Sequence, residues 1–282
     1  MFSLSVQNAA GKLLELTHNE NYNVTKVTGL NPPSATINTK TVTNFDGARF
    51  NSSRVNMRNI VITLLPVDPI DANRIALYEY FKVKQFVRIY YKNRLRDVYI
   101  DGYVETIEDD FFTMSQNIQI SIICPETYFK SVDYGISRFL TVVDLFEAPF
   151  SIPEEGMAVS EKLNNYSVNV TNRGDVSTGM ILYGVFTGNV SGLTIWNQLT
   201  KSRMAIDYQF KAGDELYINT NKGNKSITLL RSGAKSNLIN YLKDESIWLV
   251  LEPGINSFEY VTEYGQMNVE LSIEHADLYQ GV

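Results

Sequence analysis

The run VNMRNIVITLLPV, Val55 to Val67, alternates through its middle: Arg58, Ile60, Ile62 and Leu64 fall on one face of an extended chain, and Met57, Val61 and Thr63 on the other. A period of two is the mark of a strand with one buried side, because successive side chains of a pleated backbone point to opposite faces. Pro66 ends the run, since it has no N–H to give a ladder. The alternation returns in NIQISIIC, with Ile118, Ile120, Ile122 and Cys124 set against Asn117, Gln119 and Ser121. Between these runs, QFVRIYY (Gln85 to Tyr91) and LRDVYIDGYVETIEDD (Leu95 to Asp110) read as further strands. One segment follows another period. DPIDANRIALYEYFKV, from Asp68, presents Ile70, Arg74, Leu77, Tyr78 and Phe81 at helical spacing. Asp68 is expected as its N-cap and Pro69 at its first helical position.

Upstream, KLLELTH (Lys12 to His18) and NYNVTKVTGL (Asn21 to Leu30) read as two more strands, the second running into a polar, extended stretch, VTGLNPPSATINTKTVTNFDGARF, Val27 to Phe50. Downstream of Tyr166 short strands recur between turn signals, among them GMILYGVFTGN, GLTIWNQLT, RMAIDYQFKAGD and SIWLVLEPGIN. That spacing predicts an all-β sandwich or jelly roll. The chain of 282 residues exceeds a single ordinary core. The expected organisation is mainly β: an N-terminal β domain with one α-helix over residues 1–134, then a β-sandwich over 135–282. Glu126 to Glu161 reads as a connection that partly packs.

Composition narrows the function. Twenty-five Lys and Arg against 31 Asp and Glu give a net charge of −6, which argues against a protein whose task is to neutralise phosphates. The densest basic stretch, KVKQFVRIYYKNRLR from Lys82 to Arg96, interleaves cations with Phe86, Val87, Ile89 and Tyr90. It reads as the polar face of a strand pair, the alternative being a single-strand groove. No specific nucleic-acid binding is expected. No stretch has the apolar length of a membrane span and the N-terminus has no signal-peptide pattern, so neither membrane insertion nor export is expected.

Catalytic chemistry is hard to place. Cys124, the one cysteine, closes an apolar alternation and reads as a buried strand residue. NTNKGNKS (Asn219 to Ser226) lacks the glycine that a phosphate loop sets before its lysine. His18 and His275, the only histidines, lie at opposite ends of the sequence, which leaves no metal site in view. Glu105, Glu108, Asp109 and Asp110 could supply a carboxylate pair, but their place at the junction of two strands reads as a solvated turn. Trp196 (LTIWNQ) and Trp248 (SIWLVL) each sit in apolar surroundings. Both read as core packing, with stacking against a sugar as the alternative. No catalytic residue, metal or cofactor is expected.

The succession NYNVTKVTGLNPPSATINT, DGARF, SRVNMRNIVITL, NRIALYEYF, DGYVETIE and NIQISIICPETYFKS resembles the distal tail protein family of long-tailed phages. The resemblance is carried by Tyr22, Val24, Gly29, Leu30, Pro32, Pro33, Gly47, Arg58, Asn59, Gly102, Tyr103, Cys124 and Pro125 in order. The second half is similar, more loosely, to that family's galectin-like sandwich through NRGD, IWNQLT, AGDELYINT and WLVLEPGIN. The resemblance implies a non-enzymatic virion protein of the tail tip, made in the host cytoplasm. It would form a homohexameric ring that joins the tail tube protein to the tail-tip hub protein around a channel for DNA. The alternative reading is a carbohydrate-binding host-adsorption module that touches host cell-wall glycan, with Trp196 as the contact. In this frame the polar stretch becomes a candidate interface with the neighbouring subunit, carried by Pro32, Pro33, Asn44, Phe45, Asp46 and Arg49. Prolines would stiffen the departure of an arm and Asp46–Gly47 would turn it back. The competing reading is a long loop folded over its own domain.

Overall fold

The computed structural model describes residues 2–41, 43, 46–113, 115–144, 160–164 and 166–282. The chain divides into two units, residues 1–133 with 278–282, and residues 134–277.

The first unit is built on an antiparallel sheet whose strands run in the order Leu13–Glu15, Ser3–Asn8, Phe86–Lys92, Asp97–Asp109, Ile118–Cys124, Arg58–Pro66 and Tyr22–Thr28. The two alternating runs of the sequence are neighbours. Their register sets Arg58 opposite Cys124, Ile60 opposite Ile122, Ile62 opposite Ile120 and Leu64 opposite Ile118, so the buried faces of both strands coincide. These residues share one core with Val87, Ile89, Val98, Ile100 and Phe129. The helix Ile70–Tyr80 adds Leu77 and Tyr80, and Phe81 follows into the same core. Its N-cap is Pro69, in extended conformation and without a side-chain cap; Asp68 lies one residue too early to serve. Asp71 in the first turn pairs with Arg74 at 2.6 Å.

Gly29 ends the edge strand at φ +86°, and a Cβ there would stand 2.1 Å from the carbonyl oxygen of Asn59. No side chain fits. The sheet also gains strands from the far end of the chain. Leu278–Tyr279 pairs with Phe129–Ser131, which pairs in turn with Asp97–Asp109. The second unit is thus an insertion between Asp133 and Leu278.

The second unit is a sandwich. One sheet has six strands, in the order Gly135–Arg138, Val269–His275, Ile181–Phe186, Glu215–Asn219, Ser226–Arg231 and Ala234–Asn237. The other has four, Ser167–Asn172, Gly254–Val261, Val190–Asn197 and Ser202–Phe210. Leu182, Leu216, Ile218, Ile227 and Ile273 from the first meet Val170, Ile195, Met204, Phe258 and Tyr260 from the second in one core. Phe186 and Phe210 stack across it, ring centroids 4.0 Å apart. Tyr260 is fully buried, and its hydroxyl donates to the Val269 carbonyl at 3.0 Å; burial pushes its pKa up to about 12. The expected strand SIWLVL is not one. Its backbone meets its neighbours through single contacts, an isolated bridge from Leu251 to Thr178 and a hydrogen bond from the Ile247 N–H to the Arg203 carbonyl at 2.8 Å, while Leu249 and Leu251 anchor the segment in the core.

The returning C-terminal strand makes the first unit depend on residues far away in sequence. Deleting residues 278–282 removes an acceptor from the buried guanidinium of Arg58 and uncovers Phe129. A lost charged hydrogen bond of this kind costs about 1.5–3 kcal/mol. Hydrogen-exchange mass spectrometry should therefore find exchange at least about tenfold faster in Arg58–Pro66 and Ile118–Cys124, with Ile181–Phe186 unchanged. Equal loosening of both units, or of neither, contradicts this reading.

Candidate functional site

The polar stretch forms a structure of its own. Ala35–Thr41 and Ala48–Val55 pair as an antiparallel hairpin, with Ala35 opposite Val55 and Thr41 opposite Ala48. Among the described residues this two-stranded sheet joins no other, and every residue of both strands is exposed. At about 3.3 Å per residue each strand extends roughly 23 Å. The arm is polar and basic, with Lys40, Arg49 and Arg54, yet it presents Ile37 and Phe50 at 56% and 65% exposure. Among the residues expected at a subunit interface, Pro32 and Pro33 stand at its root, Asp46 in its turn and Arg49 on its returning strand. Asn44 and Phe45 lie outside the described residues.

The root is fixed by Arg58, which is 4% exposed. Its Nη1 donates to the carbonyls of Gly29 and Asn31, its Nε to Thr127 at 2.9 Å, and its Nη2 to Gln280 at 2.5 Å. The guanidinium also lies over the Phe129 ring, 4.6 Å from the centroid. Burial draws its pKa below the ordinary arginine value, but an arginine stays charged in a folded protein. The partners in this cage are carbonyl dipoles and a ring face. The return strand is held by Asn56, whose N–H donates to Ser34 O at 3.0 Å and whose side chain meets Ser34 and Thr36. The C-terminal residues seal the root from outside. Arg96 donates to the Gly281 carbonyl and covers Tyr279, while the Val282 N–H reaches Leu30 O at 3.2 Å.

The remaining candidates separate. Glu105 accepts a bond from Ser121 at 2.9 Å, and Asp109 accepts one from Tyr78, so the acidic run is drawn into separate local contacts. Burial raises the Asp109 pKa. Among the described residues no group of His, Cys, Asp and Glu is arranged to hold a metal, and no helix is long and apolar enough to cross a membrane. Trp248 packs against the sandwich core. Trp196 does not. It is half-buried on the outer face of the four-stranded sheet, beside Gln198, Glu259 and Val261. The signal was present in the sequence: in LTIWNQ, Trp196 shares its parity with Thr194 and Gln198, and the core-facing Leu193 and Ile195 have the opposite one.

Two family models match the chain. Residues 10–124 match the phage tail protein RIFT-related domain, and residues 173–275 the C-terminal domain of the siphovirus-type tail component. The chain belongs to the siphophage distal tail protein family. It is a structural tail component. Among solved structures the fold matches that of the Dit protein of phage SPP1 at 13% identity, over 98% of each chain, with a TM-score of 0.66. That protein is described as a paradigm of the hub adsorption apparatus in phages that infect Gram-positive hosts. A chain of the phage p2 baseplate in its activated, calcium-bound conformation matches at 11% identity over 97% of this chain and 98% of that one, with a TM-score of 0.49. Comparison with curated protein sequences gives no match.

Cys124, the one nucleophile-type thiol, lies buried within the family's N-terminal domain. Burial pushes its pKa up to about 12, against about 8.5 for a free cysteine, so it stays a neutral thiol at neutral and mildly alkaline pH. Iodoacetamide at pH 8 should leave the native protein unmodified and label it fully in denaturant, as read by intact mass. Labelling of the native protein at the rate of a free thiol contradicts the assignment.

Proposed function

We propose that this chain builds a closed ring of six copies at the distal end of the tail. The ring joins the tail tube protein to the tail-tip hub protein and leaves a channel for DNA. The observation that carries this reading is the arm: a hairpin exposed on both faces, bound to no sheet of its own chain, rooted by a buried arginine. A lone two-stranded hairpin is marginal in water, and paired strands with open edges invite pairing with another chain. A second copy satisfies both conditions, because a ring requires each subunit to offer one surface and receive another.

Charge supports the same partner. The arm carries Lys40, Arg49 and Arg54 against Asp46, while the chain as a whole has a net charge of −6. The arm of one copy is therefore attracted to the acidic remainder of the next. Ile37 and Phe50 supply apolar contact once it docks. The acidic balance also suits a channel that lets DNA pass without gripping it. Pro32, Pro33, Asp46 and Arg49 take interface roles in this reading: the prolines set the exit direction, Asp46 the turn, and Arg49 a contact to the neighbour. The role is structural, with no catalytic step and no cofactor.

Replacing residues 36–54 with a short Gly-Ser turn keeps Ser34, Asn56 and Arg58 in place. Circular dichroism should show a folded β protein, and light scattering a monomer where the parent chain forms the ring. A ring that persists without the arm contradicts the proposal, and loss of the folded signal assigns the arm to its own domain.

A further inference from the structure

The outer face of the four-stranded sheet holds an arrangement that the assembly role does not use. Register aligns Ser167 with Glu259, Glu259 with Trp196, and Trp196 with Arg203. One residue from each strand thus falls in a single row across the sheet. With strands about 4.8 Å apart the row is about 14 Å long. Beside it lies an open cleft of about 320 Å³ lined by Trp196, Gln198, Glu259 and Val261. Gln198 Nε2 donates to Glu259 Oε2 at 3.0 Å. The Arg203 guanidinium sits over the indole, 5.4 Å from the ring centroid, and pairs with Glu245.

An indole turned away from a well-filled core, and set beside a carboxylate, an amide and a guanidinium, has an apolar face next to directional polar groups, with the Ser167 hydroxyl at the far end of the row. We propose that this row is a binding subsite for a neutral pyranose within an oligosaccharide. The C–H face of the sugar lies on Trp196, where the ring offers a flat apolar platform. Glu259 accepts from sugar hydroxyls, and Gln198 and Ser167 each can donate and accept. Val261 closes the apolar edge.

Charge selects the ligand class. Glu259 flanks Trp196 on one side, and Arg203 on the other is already paired with Glu245, so an added anionic sugar meets a carboxylate and a cation that is already neutralised. The Arg203–Glu245 pair is exposed, with 40% and 80% of its side chains open to solvent. Such pairs are weak, so the guanidinium yields the ring face to a sugar and then borders it. The length of the row fits several sugar residues better than one. An open cleft with one platform binds weakly per protomer, and several copies held together would add avidity. The subsite itself needs no ring, so its failure leaves the assembly proposal untouched.

The full chain carrying Trp248→Phe has Trp196 as its sole indole. It is titrated with neutral oligosaccharides of glucose, of galactose and of N-acetylglucosamine, and with a galacturonate oligomer for comparison, while emission is followed. The expected result is a saturable change with at least one neutral oligosaccharide below about 10 mM. Binding should weaken by about tenfold or more in Glu259→Gln and Gln198→Ala, with the thermal transition unchanged. In a parallel sample, Trp196→Ala on the parent chain should abolish retention on the immobilised sugar. Three results overturn the proposal: no neutral oligosaccharide changes the emission, the galacturonate oligomer binds at least as well, or binding survives the Glu259 and Gln198 substitutions together.

Discussion

A buried guanidinium held by backbone carbonyls organises the first unit. Taking a charge out of water is costly unless hydrogen bonds replace the lost hydration. Arg58 meets that demand with four carbonyls from three separate places: Gly29 and Asn31 where the arm leaves, Thr127 after the strand Ile118–Cys124, and Gln280 in the returning terminus. The three segments follow separate paths, and the cation fixes all of them at one point. Removing Arg58 would free the segments. Removing any one segment would leave a buried charge under-solvated. This reciprocity explains why an arm of exposed polar residues can leave the body in a defined direction while its own strands bury nothing.

Much of this architecture was legible from period alone. The alternation in Val55 to Val67 and Asn117 to Cys124 marked both runs as strands with one apolar face; matching those faces limits their register to steps of two residues, and the pairing of Ile60 with Ile122 comes from the structure. Arg58 was also on the buried side of that alternation, and an arginine there signals a partner set, although its partners are up to 222 positions away. That distance is why the cage was invisible. Local pattern carries no information about which carbonyls a side chain will meet. The returning strand at Leu278 and Tyr279 escaped for the same reason, since a two-residue strand has no period of its own.

Other differences have local causes. Pro69 took the N-cap position because the helix starts one residue later than the Asp-Pro pair suggested. SIWLVL has strand-like composition, but it runs without a continuous ladder partner and is held by the burial of Leu249 and Leu251. Trp196 was readable and was obscured by its apolar neighbours: a strand with one face in a core still carries every second residue outward. What the alternation could not supply was the row. The alignment of Ser167, Glu259, Trp196 and Arg203 depends on the pairing of four strands that are scattered through the sequence.

The proposed arm interface and the proposed sugar subsite fall in different units. The first holds the arm and the cage, and the sandwich inserted at Asp133 carries the outward Trp196 face. The account rests on the arm reaching a second copy, and electron cryo-microscopy of the purified full-length protein tests that most directly. The predicted map is a closed six-fold ring in which the hairpin of each protomer lies against the next one and Arg58 remains buried at its root. Monomers at high concentration, or a ring whose hairpins fold back on their own protomers, would contradict it.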